Sequence, residues 1–315
     1  MLGNFGKVAV VGLLALGVIG CGGNTTGSVP TVGVTWEQRG AKNSWRSVAS
    51  SAEGTKLAAV ANDDYIYTSA DSGATWIQTG IREYWESVAS SADGSKVVAA
   101  ASDYVFTSGD SGAAWTQQQG TPHSWAYVAS SADGTKLVAT CVGVDYIYTS
   151  TGDVVDWGHG YTTNSWGSVA SSADGTKLVA AAYGSYIYTS ADRATWTQTG
   201  SQQNWQSVAS SADGAKLVAA TTPDGYIYTS GDSGVTWTQT GSQQAWQAVA
   251  SSADGTKLVA AVVGGYIYIS GDSGVTWTQT GTQQTWQAVA SSADGTKLVA
   301  AALGGYIYTY SSSAP

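Results

Sequence analysis

Charge is scarce in this 315-residue chain: Asp, Glu, Lys and Arg make up 11% of it, too little for a body of long solvated helices. Arginine is rarer still, the whole complement being Arg39, Arg46, Arg82 and Arg193. Lysine and arginine are spread along the chain and form no basic stripe of the kind phosphate contacts need, so nucleic-acid binding is not expected. Only Cys21 and Cys141 could form a disulfide. The long apolar run from Val8 to Ile19 is too short to span a bilayer comfortably and matches the length of a signal h-region. The net charge of −9 is mostly turn chemistry, because thirteen of the 22 acids occupy two recurring turn phrases. Abundant here are glycine (40), tyrosine (18) and tryptophan (14), the composition of an all-β body built on turns and aromatic packing.

The leader carries its own chemistry. Lys7 precedes the apolar run, which ends in Val18-Ile19-Gly20-Cys21, a phrase that resembles the bacterial lipobox. That resemblance implies lipidation at Cys21, which leaves Cys141 without a disulfide partner and reads as a small buried thiol. The alternatives are an ordinary signal peptide or an unprocessed anchor. The expected organisation is a lipoprotein signal peptide over 1–21, a flexible tether rich in glycine, serine and threonine over 22–32, and a folded body over 33–315. The expected location is that of an exported bacterial lipoprotein, anchored at the periplasmic or extracellular side, on the outer membrane in a Gram-negative cell.

The fourteen tryptophans form two interleaved sets of seven. One opens the phrase W-x-x-V-A-S-S-A-D-G at Trp45, Trp85, Trp125, Trp166, Trp205, Trp246 and Trp286; the other closes V-T-W or a variant at Trp36, Trp76, Trp115, Trp157, Trp196, Trp237 and Trp277. A period near forty over almost the whole chain means repeated copies of one supersecondary unit, none able to bury its apolar faces alone. The stretch from Trp246 to Gly281 resolves into strand A (W-Q-A-V-A-S-S), a D-G hairpin, strand B (K-L-V-A-A-V-V), a Gly264-Gly265 turn, strand C (Y-I-Y-I-S) and strand D (G-V-T-W-T-Q-T). Four antiparallel strands per repeat, apolar on both sides, predict a β-propeller blade. The chain opens on an orphan D strand, Gly33 to Gln38, and closes on a C strand at Thr309. The predicted fold is therefore a single all-β, seven-bladed β-propeller of four antiparallel strands per blade, its last blade completed by the N-terminal strand so that no sheet edge is left open.

The turn between strands C and D carries a family resemblance. Ser69-x-Asp71-x-Gly73-x-Thr75-Trp76 and its counterparts at Ser230 to Trp237 and Ser270 to Trp277 look like the Asp-box, or BNR, repeat of the sialidase-like propeller superfamily. Ser108 to Trp115, with Asp110, is a near match; Ser150 to Trp157 and Ser190 to Trp196, with Asp192, are degenerate. Asp71, Asp110, Asp192, Asp232 and Asp272 are the expected structural carboxylates, accepting backbone N–H groups beside a glycine that permits positive φ. Each box offers one carboxylate, so no metal site is expected. Nor does A-D-G-T-K have the glycine spacing and following helix of a phosphate cradle. Sialidases in this superfamily use an arginine triad, a tyrosine–glutamate pair and an acid aspartate. Here no arginine stands in an Arg-Ile-Pro phrase, and Arg46 follows a strand A tryptophan while Arg193 lies in a turn. The resemblance is closest in character to the non-enzymatic photosystem II assembly factor-like and sortilin-like propellers, which implies protein binding without catalysis, catalytic residues or cofactor.

Geometry places the A-B and C-D turns on one face of a propeller and the B-C and D-A turns on the other. Windows 226–265 and 266–305 differ at five of 40 positions, whereas the first four repeats diverge chiefly on the B-C and D-A side. That side supplies the candidate binding residues Asp63, Asp64, Arg82, Glu83, Asp103, Asp145 and Asp224. Drift among loops is the alternative account of the divergence. The strand A tryptophans, with Gln203, Gln243, Gln244, Gln283 and Gln284 nearby, form a candidate aromatic ring for stacking on sugars; the alternative is packing between blades. The functional expectation is a monomeric, lipid-anchored scaffold binding a protein or glycan of the cell envelope. Alternatives are a multivalent lectin and a divergent glycan hydrolase using a carboxylate pair.

Overall fold

The computed structural model describes residues 36–118, 123–142, 146–151, 158–160 and 164–312. The signal peptide, Cys21, the tether and Asp145 lie outside the described residues. Every regular element among the described residues is a strand, joined to its neighbours by antiparallel ladders. The sheet of Trp205–Ser210, Leu217–Thr221, Gly225–Ser230 and Thr238–Gln244 shows the unit, its strands following in sequence order A, B, C and D. Strand B is buried throughout, while strand D is mostly exposed. Small residues make that possible: Ala219 and Ala220 on strand B are inaccessible to solvent, which lets neighbouring sheets approach closely.

Hydrogen bonding divides the sheets differently from the expected seven. Four stand as discrete four-stranded blades, and the other strands form one eight-stranded sheet in the order Trp246–Ser251, Leu258–Ser270, Thr278–Ser291, Lys297–Ser311, Glu37–Ser50, Leu57–Ala61, Asp64–Ser69 and Ile77–Glu83. Strand continuity is the reason. Leu258–Ser270 and Lys297–Ser311 keep strand pairing on both sides of Gly264, in the expected turn, and of Gly304, which take φ 65° and 64°, and Thr278–Ser291 and Glu37–Ser50 each span a D and an A position. The N-terminal strand pairs with the C-terminal one through Glu37 with Thr309, Gln38 with Tyr308 and Arg39 with Ile307.

Sheets meet through the strand A tryptophans. Trp246 packs with Val218, Ala220 and Ile227 of the preceding repeat, Trp205 with Val179, Ala181 and Ile187, and, within the eight-stranded sheet, Trp45 with Val299, Ala301 and Ile307. A second tie runs through the A-B turns. The N–H of Ala52 donates to Ala92 O, Ala92 to Ala132, Ala132 to Ala173, Ala173 to Ala212, Ala212 to Ala253, Ala253 to Ala293, and Ala293 back to Ala52, all at 2.7–2.8 Å. This circuit of backbone bonds closes on itself, so the described sheets form a ring.

Candidate functional site

The face of A-B and C-D turns is occupied by its own hydrogen bonds. At Asp232, Oδ1 accepts from Thr236 N at 2.9 Å and Ser230 Oγ at 2.8 Å, and Oδ2 accepts from Thr236 Oγ1 at 2.6 Å. Ser230 Oγ in turn accepts from Gly234 N at 2.9 Å, and Trp237 Nε1 donates to Gly234 O at 3.0 Å. The Thr236 hydroxyl first, then its backbone N–H and the Ser230 hydroxyl, hold the Asp232 carboxyl at about 2. Asp71 and Asp272 repeat the pattern, and Asp110 keeps its backbone half with Ala114. Gly234 is required twice over: its φ is +88°, and an added Cβ would stand 2.8 Å from Thr189 Cγ2 of the adjacent sheet. In the degenerate turn Asp192 still accepts from Ala194 N and Thr195 N. There Arg193, at φ 66°, donates to the carbonyls of Gly175, Leu137 and Ser150. In the A-B turns, Lys136, Lys177, Lys257 and Lys297 each donate Nζ to the carbonyl of Asp174, Asp213, Asp294 and Glu53 in the neighbouring repeat. These cations serve the ring.

The opposite face joins B-C and D-A loops to one another. Arg82 Nε donates to Asp63 O at 2.9 Å, and Gln202, Gln243 and Gln283 at the equivalent position donate to Gly184 O, Asp224 O and Gly264 O. Arg82 alone adds an ion pair, to Asp63 Oδ2 at 3.0 Å. Asp64 accepts from Asn43 Nδ2 and, at 3.2 Å, from Tyr67 OH, whose own ionisation is pushed up to about 12 by burial and then by Asp64. Asp64 also stands opposite Glu83 in the strand ladder. Asp103 is exposed in the next B-C turn, which ties back through Ser102 N to Tyr84 O at 3.1 Å. The structure therefore gathers Asp63, Asp64, Arg82 and Glu83, sets Asp103 beside them in sequence order, and leaves Asp224 in a separate repeat.

One expectation about chemistry is corrected. The candidate aromatic ring is interior: Trp45, Trp85, Trp125, Trp166, Trp205, Trp246 and Trp286 are 0–6% exposed, so no indole face is open to a sugar. Each packs against the neighbouring repeat, and the indole N–H of Trp45, Trp205 and Trp246 donates to the carbonyl of Ala41, Ser201 and Ser242. The arginines are also dispersed. Arg39 bonds Thr309 and Glu37, Arg46 pairs with Glu86, Arg82 with Asp63, and Arg193 with backbone, so no two meet on one carboxylate. Among the described residues no cluster of three or more His, Cys, Asp or Glu side chains has the arrangement of a metal site. Cys141 is buried, and burial pushes its thiol up to about 12.

The sequence reading missed the axis of the ring. A cavity of about 450 Å³ is lined by strand A of every repeat. In each ladder the register slips just after the tryptophan, so Arg46, Glu86, Ala126, Gly167, Gln206, Gln247 and Gln287 are β-bulge residues. A bulge re-aims a side chain out of the pleat, and six of these seven residues line the cavity. The overlooked signal was the second letter of W-x-x-V-A-S-S, which varies while its surroundings repeat.

Closed ring, antiparallel sheets in sequence order and strand A at the axis together define an all-β propeller. Solved structures of YCF48 share the fold. YCF48 from Cyanidioschyzon merolae superposes with a TM-score of 0.70 at 15% identity, covering 88% of this chain and 98% of that one. YCF48 bound to D1 peptide gives a TM-score of 0.70 at 16% identity, covering 88% and 97%. No family model and no curated protein matches the sequence. At these identities the likeness establishes the fold alone.

Proposed function

We propose that this chain is a non-enzymatic propeller scaffold that binds a protein through its B-C and D-A loops. The observation that carries it is asymmetry: exposed Asp63, Arg82 and Asp103 crowd that face in the first repeats, while the opposite face spends its polar groups on internal turns. The likeness to YCF48 bound to D1 peptide supports a peptide or protein as the class of ligand. Dispersed arginines and engaged carboxylates speak against a sialidase or a glycan hydrolase, and the buried tryptophans speak against a lectin or an envelope-glycan partner.

The finer architecture belongs to the same proposal. The long strands of the eight-stranded sheet each serve two positions, so that sheet is three blades joined, and with the four discrete ones the body from 33 to 315 counts seven. The seven-membered circuit of alanine hydrogen bonds supports that count. The body is a monomer tethered by 22–32 to a lipid on Cys21 at the envelope. Mass spectrometry of the mature N-terminus tests the anchor: a diacylated or triacylated Cys21 supports it, and an intact Met1 refutes it. For the binding face, envelope proteins captured by the parent are compared with those captured by a variant carrying D63N, D64N, R82Q, E83Q and D103N. Loss of capture with an unchanged melting curve is expected, because exposed charges contribute little to stability yet orient a partner. Unchanged capture refutes the assignment.

A further inference from the structure

The axial cavity is where the repeats differ by chemistry while keeping their backbone. Six equivalent bulge positions carry Arg46, Glu86, Gly167, Gln206, Gln247 and Gln287 into one space. A purely architectural ring would gain nothing from placing a cation and an anion in the first two repeats and amides in the last three. The polar groups there are also poorly satisfied by the protein itself. Arg46 Nε is buried without a hydrogen-bond acceptor, and its distance to Glu86 Oε2, 3.7 Å, is an ion pair but too long for a hydrogen bond. Among the described residues the side-chain amides of Gln206, Gln247 and Gln287 have no hydrogen-bond partner in the chain. The D-A loop amides of Gln243 and Gln283, four residues earlier, do have one. Burial pushes the Glu86 carboxyl above its ordinary range against the pull of Arg46, and it pushes up the Tyr127 hydroxyl beside them.

From this geometry we propose that the axial cavity binds a small zwitterion of the free α-amino-acid class, with its carboxylate on Arg46, its ammonium on Glu86 and its side chain toward Gln206 and Gln247. The volume, about 450 Å³, falls within the range of small-molecule sites, roughly 300–1,000 Å³. Charge selects the class. The lining carries one positive and one negative side chain, so a simple anion meets Glu86 and a simple cation meets Arg46, each a like-charge contact in a partly desolvated space. Only a molecule bearing both charges close together offsets both, through charge-assisted hydrogen bonds to groups that now lack them. A neutral polyol can use the amides but leaves the two charges no better solvated. The amides offer donor and acceptor together, which suits a polar side chain or the ligand's own backbone atoms. This site is separate from the loop face, so either can fail without the other.

The test uses the full-length protein. Calorimetric titration with the standard free amino acids at millimolar concentration identifies the tightest. That amino acid is then compared with its N-acetyl form, which lacks the ammonium, and its amide, which lacks the carboxylate, with glycerol as the polyol. Each blocked form is expected to bind at least about tenfold more weakly, as are R46Q and E86Q with the intact amino acid. The loop variant D63N/R82Q is expected to bind normally. A melting curve on each variant separates loss of the site from loss of the fold, and the blocked ligands test the charges on the unaltered protein. No binding by any amino acid, equal binding of the blocked forms, or glycerol binding that survives R46Q and E86Q overturns the proposal.

Discussion

Gly234→Ala tests the contact that ties one repeat to the next. Two penalties meet at this position. An L-residue at φ +88° costs about 1–2 kcal/mol, and a Cβ 2.8 Å from Thr189 Cγ2 adds overpacking of about 1–3 kcal/mol. Thr189 cannot swing aside cheaply, because a β-branched side chain in a strand has few rotamers. The expected loss is therefore about 3 kcal/mol, read as a lower urea midpoint at unchanged m-value. Thr189→Ser removes the offending methyl and keeps the hydroxyl, at a cost of roughly 0.8 kcal/mol for the lost burial. Leu217 Cδ1 then becomes the nearest atom, at 3.3 Å, so most of the steric part disappears while the φ penalty stays. The double variant should lose about 1–2 kcal/mol less than the sum of the two single losses. Gly231→Ala is the control, since nothing lies within 4 Å of its added Cβ, and it should be near neutral. If the single losses simply add, or if Gly231→Ala costs as much as Gly234→Ala, the close approach between sheets is not what demands glycine.

Three further outcomes are expected. Trp246→Ala, which empties a fully buried indole site against Val218 and Ile227, should cost about 3–5 kcal/mol in denaturant, whereas Val235→Ser, at a 76% exposed position, should leave the midpoint in place. Removing residues 1–40 takes away the partners of Thr309, Tyr308 and Ile307, so light scattering should show oligomers formed through the freed edge; a monomer that melts like the parent would refute the shared sheet. The turn carboxylates of Asp232, Asp254, Asp272 and Asp294 sit at about 2 against an ordinary 3.8. Because the folded value is the lower one, their contribution is present above pH about 4 and is lost as pH falls toward about 2; thermal melts across that window should show a common acid decline, steeper than in a variant with all four changed to Asn.

Much of the fold was legible in the chain because its information is local and repeated. The D-G phrase at Asp254-Gly255 specifies a hairpin, Ser230-x-Asp232-x-Gly234 specifies a turn through bonds between near neighbours, and the spacing of Trp246 and Trp286 sets the repeat. Each of these is decided within a few residues by donor, acceptor and φ. The face that a strand A residue presents is different. When both sides of a blade pack on other blades, alternation no longer marks inside from outside, so whether Trp246 meets solvent or Ile227 was settled only by the neighbouring sheet. Sequence likewise showed Gly264-Gly265 as a turn, and Gly264 does turn at φ 65°, but strand pairing continues on both sides of it and joins repeats expected to stand as separate sheets. The axial site depended on more distant relations still. A bulge after each tryptophan turns Arg46, Glu86 and Gln206 inward, and these residues, up to 160 positions apart in the chain, meet only because the ring closes. Local chemistry chose the strands and turns; which side chains share a space was decided by closure, since that alone brings the first repeat against the last.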